Sequence, residues 1–194
     1  MAGLFDFLPL VVAQQGMFQT LGRTPEPSQI TDGSGNVAQY DRVMTTKLAL
    51  GYAAGVEILH RARGETADSA VDLACGPGHY SLCLAKYLGY KQVTGVDLSA
   101  PMVKVAAGNA TRANLSGNIR FQIGDITQLD SFPAGQLDLA SFTGAAHHMP
   151  DLDTVAAIVC EMDRITKPTG LVMLMDLARL RTAKLTERYV NTLG

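Results

Sequence analysis

Charge is scarce in this sequence, and neither sign prevails. Only 18% of the 194 residues are Asp, Glu, Lys or Arg, and the formal net charge is −2. Without a basic excess there is no electrostatic footprint for a nucleic-acid partner. Cysteine is sparse as well. Cys75, Cys83 and Cys160 are odd in number and form no CxxC pair. Neither a disulfide framework nor a metal ligand set is encoded, and a reduced, cytoplasmic setting is expected. Long apolar runs are missing too. The stretch Leu8–Ala13 is too short to span a membrane. Its surroundings, MAGLFDFLPLVVAQQGMF, lack the positive flank of a secretion signal and carry Asp6. That stretch is expected to form a helix that packs on the domain or covers a site. A membrane-surface role is the weaker reading, because its polar face has no Lys or Arg.

What is present is ample apolar material, 47% of the chain, in a length that suits one domain. Residues 1–36 are expected to be an N-terminal helix and a connector, with Gly22–Asn36 rich in Gly, Pro, Ser and Thr. Residues 37–194 are expected to form the core. Helical spacing covers Val37–Arg63. Strands are then expected at Ser69–Ala74, Gln92–Val96, Ile119–Ile123, Leu137–Phe142 and Leu171–Leu177, the last continuously apolar through Met175 as if buried on both faces. Helices are expected at His79–Leu88, at Ala100–Asn114 capped by Ser99, and from an Asp153 cap to Ile165, with a turn at Lys167-Pro168-Thr169-Gly170. Alternating strands and helices of these lengths predict an α/β fold, a three-layer Rossmann-like sandwich with a mostly parallel sheet. Ligands in such sheets bind beyond the carboxyl ends of the strands.

The stretch VDLACGPGHYS, Val71–Ser81, runs from the first strand into a glycine turn and a helix. Gly76 and Gly78 belong to a GxGxxS pattern, an incomplete GxGxxG, and no GxxxxGK[ST] phosphate loop occurs. Asp72 lies four residues before Gly76. A carboxylate so near would repel a pyrophosphate and favour a cation. S-adenosylmethionine offers an ammonium and a sulfonium and no phosphate. Its amino-acid part can approach a glycine turn closely because no Cβ intervenes. Asp97 ends the second strand, where a carboxylate can take both ribose hydroxyls. Asp125 ends the third strand and is placed to accept from an adenine amino group, with Leu98 and Ile126 flanking the ring.

The chain resembles the class I S-adenosylmethionine-dependent methyltransferases, and within them the small-molecule group that includes ubiquinone/menaquinone-biosynthesis-type enzymes. The matching segments are VDLACGPG, VTGVDLSAPMV, FQIGDITQL, LDLASFTGAAHHMPD and EMDRITKPTGLVMLMDL, in order from Val71 to Leu177. The resemblance implies cofactor contacts from Asp72, Gly76, Gly78, Asp97, Asp125 and Ile126 and from the segment Ser141–His148, which includes Thr143; Ala74, Cys75, Leu98, Met102 and Gly124 are the further cofactor candidates beside them, and Tyr40, ahead of the long helix, is placed to close over the cofactor. It also implies a small-molecule acceptor and strand order 3-2-1-4-5.

Bland readings stand beside these. Asp72 can be a structural hydrogen-bonding residue, Asp125 a turn residue, Cys75 and Cys83 small buried residues, and Tyr40 a surface residue. The sulfonium is already an activated methyl donor, so alignment and exclusion of water supply much of the acceleration. If the acceptor must lose a proton, His147 and His148 are the candidate bases; a loop or capping role is the alternative. Two other function classes are a non-catalytic domain that binds cofactor or partner, and an NAD(P)-dependent oxidoreductase. Asp72 and the lack of a Tyr-x-x-x-Lys pair weigh against the latter. The family's sixth and seventh strands are expected to be absent, since ARLRTAKLTERYVNTLG follows Leu177 and Lys184–Leu193 reads as helix. Strand five is then an apolar edge. A homodimer, the helix at 184–193, or a further C-terminal segment is expected to cover it.

Overall fold

The computed structural model describes residues 37–46, 49–63 and 67–176. Helix α1 is Val37–Thr46 and α2 is Ala49–Ala62, so the helix expected over 37–63 is described as two segments. Strand β1 (Ser69–Leu73) leads through the glycine turn into α3 (His79–Leu88), then β2 (Gln92–Asp97), α4 (Ala100–Arg112) and β3 (Ile119–Ile123). After a long connection come β4 (Leu137–Thr143), a 3₁₀ turn (Ala146–His148), α5 (Leu152–Ile165) and β5 (Thr166–Met175).

The five strands form one sheet in the order β3-β2-β1-β4-β5, and every neighbouring pair is parallel. Period-two alternation sorts each strand onto two faces. Val71, Leu73, Ala140 and Phe142 meet Ile158, Met162 and Ile165 of α5 on one face. Ala70 and Leu139 meet Tyr80, Leu84 and Leu88 of α3 and Leu59 of α2 on the other. Right-handed crossovers explain the division, because the chain steps one way from β1 to β3 and the other way from β4 to β5. No helix among the described residues is long and apolar enough to cross a membrane.

Local chemistry sets the ends. Ser99 caps α4 by accepting the Met102 N–H at 3.5 Å, and Pro101 sits in the first turn, as expected. The α5 cap is Asp151, not Asp153. Asp151 is extended, and its carboxylate accepts the Thr154 N–H at 2.7 Å, so the helix starts at Leu152. Asp153 lies in the first turn, where its charge suits the helix dipole.

Two expectations for β5 are corrected. It starts at Thr166, and Lys167-Pro168-Thr169-Gly170 is an irregularity within it: Leu137 pairs Thr166 and Leu139 already pairs Leu171. Pro168 has no N–H to give a ladder, so an edge-strand bulge is its natural place. Nor is the strand buried on both faces. Met173 is 8% exposed, while Val172 and Leu174 on the opposite face are 39% and 44% exposed. The expected N-terminal helix, the connector and the C-terminal helix lie outside the described residues, as does any strand after β5.

At the amino end of the sheet, Asp138 ties three segments. Its carboxylate accepts N–H groups of Asp68 and Ser69 at 3.0 and 2.9 Å, the Ser69 hydroxyl at 2.8 Å and the Lys167 ammonium at 2.7 Å. Partial burial would raise its pKa, but the Lys167 and Ser69 bonds outweigh this and hold it at about 2. The Lys167 side chain is 40% exposed, so most of the benefit resides in the backbone and hydroxyl bonds. A carboxylate with a depressed pKa contributes stability above its unfolded pKa and loses it as pH falls through the folded value. Asp138→Asn is therefore expected to lower unfolding free energy at neutral pH by about 1–3 kcal/mol. It should also flatten the loss of stability between about pH 4 and pH 2. Urea denaturation across that range checks both; a variant with the wild-type acid profile refutes the assignment.

Candidate functional site

A cleft of about 330 Å³ opens beyond the carboxyl ends of β1 to β4. Its floor begins at β1. Asp72 points to the α3 face of the sheet and is 1% exposed. Ser81 of α3 donates to its Oδ2 at 2.6 Å, and the Ser141 hydroxyl of β4 lies 3.2 Å from its Oδ1. Burial raises its pKa to about 6, and the serine bonds moderate that rise. The structural reading of Asp72 is therefore realised, and the residue also lines the cleft.

Ala74 opens the turn at φ 53°, a left-handed conformation in a residue with a Cβ. That costs roughly 1–2 kcal/mol, the kind of strain that collects at ligand sites. Gly76 follows at φ 51°, and the space where its Cβ would stand contains only Tyr40 Cε1, at 3.9 Å. Gly78, at φ 80°, differs: a Cβ there would stand 2.7 Å from Phe121 and 2.9 Å from Ala106. Gly78 does not line the cleft. Its missing side chain lets α3 close onto α4 and β3.

Asp97 ends β2 and reaches back over the turn. Its Oδ2 accepts the Gly76 N–H at 2.7 Å and its Oδ1 the Ser99 N–H at 2.9 Å. Burial raises its pKa, against the pull of those two bonds and of nearby His148. Two bonds leave a carboxylate with acceptor capacity to spare. Asp125, beyond β3, is exposed and uses Oδ1 for both the N–H and the hydroxyl of Thr127, at 2.9 and 2.7 Å. Ile126 beside it is buried, and Leu98 is 63% exposed at the cleft.

The two histidines part company on the 3₁₀ turn after β4. His148 lines the cleft and His147 does not. His147 donates its backbone N–H to Asp176 Oδ2 at 2.8 Å, and its Nδ1 lies 2.7 Å from Oδ1. The imidazole rings are 4.0 Å apart. Cys75 faces the cleft with a thiol pushed well up by burial and by Asp72 and Asp97, which removes it as a nucleophile near neutral pH. Among the described residues no group of three or more His, Cys, Asp or Glu is placed to hold a metal.

Apart from Gly78 and His147, every residue expected at the site lines this cleft, Tyr40, Met102, Gly124 and Thr143 included. Met44, Tyr52, Tyr80, Thr127 and Met149 also line it and were not expected. Met44 was findable, since it stands one helical turn after Tyr40. Tyr52 is brought in by tertiary packing, its ring 5.8 Å from that of Tyr80. Among the described residues, the lining contains three carboxylates and no Lys or Arg.

Comparison with known proteins bears on the family and the fold. A demethylmenaquinone methyltransferase of Desulfitobacterium hafniense is 29% identical over 153 residues, 77% of this chain and 59% of that one. A ubiquinone biosynthesis O-methyltransferase of Psychrobacter arcticus is 30% identical over 60% of this chain and 43% of that one. This chain thus spans only about half the length of such relatives. A crystal structure of a candidate S-adenosyl-L-methionine-dependent methyltransferase from Methanococcus maripaludis superposes with a TM-score of 0.69 at 24% identity. That match covers 89% of this chain and 75% of the other, and it establishes the shared fold. Residues 70–170 match the family described as "Methyltransferase domain". With more than half of its residues inside that match, the chain belongs to the methyltransferase domain family.

Proposed function

We propose that this chain is the cofactor-binding core of an S-adenosylmethionine-dependent methyltransferase that acts on a small-molecule acceptor. The observation that carries the reading is the charge of the cleft. Asp72, Asp97 and Asp125 converge on it, and among the described residues no Lys or Arg lines it. A dinucleotide would bring phosphate charge into a site whose described lining has no Lys or Arg to meet it, whereas a ligand with an ammonium and a sulfonium finds carboxylates.

The residues present fit such a ligand. The open space at Gly76 admits its amino-acid part, and Asp72 lies beneath with a carboxylate that a cation would hold ionised. Asp97, fixed by two backbone N–H groups, retains acceptor sites for the ribose hydroxyls. Asp125 leaves Oδ2 for an adenine amino group, between Leu98 and Ile126. When bound, the cofactor supplies a methyl group already activated on sulfur. The chain's own contribution is alignment and the exclusion of water by Tyr40, Met44, Tyr52 and Met149. His148 is the candidate base where the acceptor is a hydroxyl. The names of relatives, a demethylmenaquinone methyltransferase and a ubiquinone biosynthesis O-methyltransferase among them, favour a small-molecule acceptor.

Asp97→Ala is expected to weaken binding of S-adenosylhomocysteine, the demethylated product, by roughly 1.5–3 kcal/mol. Calorimetry on the folded variant measures it; unchanged affinity refutes the ribose assignment.

Protonation of Asp72 should be visible in the same titration. A raised carboxyl pKa means that folding favours the proton, so stability of the free protein falls as pH rises from about 4 to about 6. A bound ammonium reverses that preference. Affinity should rise between about pH 5 and pH 7 and level off above, with proton release on binding near pH 5.5. Asp72→Asn should abolish the release. Calorimetry in two buffers of different ionisation enthalpy reports it, and equal proton release by wild type and variant excludes Asp72.

With a hydroxyl acceptor, His148→Ala should lower turnover by roughly 10²–10⁴-fold with product affinity intact. His147→Ala should act only through the turn and cost much less. Equal losses in the two variants would contradict the division seen in the structure.

A further inference from the structure

Helix α1 lies over the glycine turn with its apolar side chains only partly buried. None of residues 37–45 is buried, and a helix of ten residues has little stability of its own. Among the described contacts that hold it, a polar cluster gathers on one side chain. Asp41 Oδ1 lies 2.7 Å from Nε2 of His79 at the start of α3, and it accepts from Nδ2 of Asn109 on α4 at 3.0 Å. A carboxylate only accepts, so the His79 Nε2 carries the proton of this bond. The second Nδ2 proton of Asn109 goes to the Pro77 carbonyl at 2.8 Å, inside the glycine turn, and its Oδ1 accepts from Arg112. Every polar position of the Asn109 amide is therefore used, and its orientation is fixed. One oxygen of Asp41 joins α1 to α3, to α4 and, through Asn109, to the turn. The side chains involved are sheltered, 24% exposed for Asp41 and 13% for His79.

The neighbour of Asp41 is Tyr40, whose ring stands 3.9 Å from the space a Gly76 Cβ would take, and Met44 lines the cleft one turn on. We infer that Asp41 is a positioning residue for the cofactor site: it latches α1 to His79 and Asn109 so that Tyr40 and Met44 close the cleft over the glycine turn. The inference rests on the cofactor reading above. It adds a residue outside the cleft lining that sets affinity through Tyr40 without touching ligand.

Two measurements test it on the full chain. Hydrogen exchange without ligand should show faster exchange at residues 37–46 in Asp41→Ala, with β1 and β4 amides unchanged and the melting temperature nearly so. Asp41→Asn, which keeps an acceptor oxygen, should restore much of the protection. S-adenosylhomocysteine titrated into wild type, Asp41→Ala, Tyr40→Ala and the double variant should give about tenfold weaker binding for Asp41→Ala. In the Tyr40→Ala background the same change should cost at most about twofold, the mark of two residues acting as one unit. Additive effects, or wild-type affinity and exchange in Asp41→Ala, overturn the inference while leaving the cofactor reading in place. Wild type that binds no S-adenosylhomocysteine overturns both.

Discussion

A single buried carboxylate organises the centre of this molecule. Asp72 sits on the α3 face of β1 among apolar neighbours, where a lone charge would be costly. Its position is tolerable because Ser81 and Ser141 bring hydroxyls to it from α3 and β4. The requirement runs in both directions. The carboxylate needs those two elements close, and their closeness places the glycine turn directly above it. Burial leaves the group with a pKa of about 6, neither firmly charged nor firmly neutral. A carboxylate so poised gains most from a cation.

The remainder of the site follows from the geometry of a parallel sheet. Strands that all point one way deliver their last residues to one edge, and Asp72 near the end of β1, Asp97 at the end of β2 and Thr143 at the end of β4 line the cleft there. Asp97 shows how tightly this is built: one carboxylate is bonded to the turn after β1 and to the cap of α4. The polar ties at the opposite edge are of a different kind. Asp138 gathers the starts of β1 and β4 and the bulge of β5, which secures the sheet where no ligand is expected.

The apolar stripe of β5 is the least settled part of the described fold. Val172 and Leu174 stand exposed on the α5 face, and edge strands with apolar side chains favour further cover.

Much of this was legible in the order of residues. Alternating strand and helix patterns predicted a parallel sheet with helices on both faces, and the resemblance to methyltransferases implied its order 3-2-1-4-5. Asp72, Gly76, Asp97 and Asp125 could be assigned to strand ends by counting along the chain. Three-dimensional packing alone decided the rest. Two glycines two residues apart look equivalent in sequence, yet Gly76 faces the cleft and Gly78 faces Phe121, since successive turn residues point in different directions. Adjacent histidines likewise diverge: the 3₁₀ turn sends His148 into the cleft and pairs His147 with Asp176, twenty-nine residues away. The Asp41 latch joins side chains 38 and 68 residues apart. Local propensity carries no record of contacts between residues so distant, because they arise only once the sheet has brought α1, α3 and α4 together.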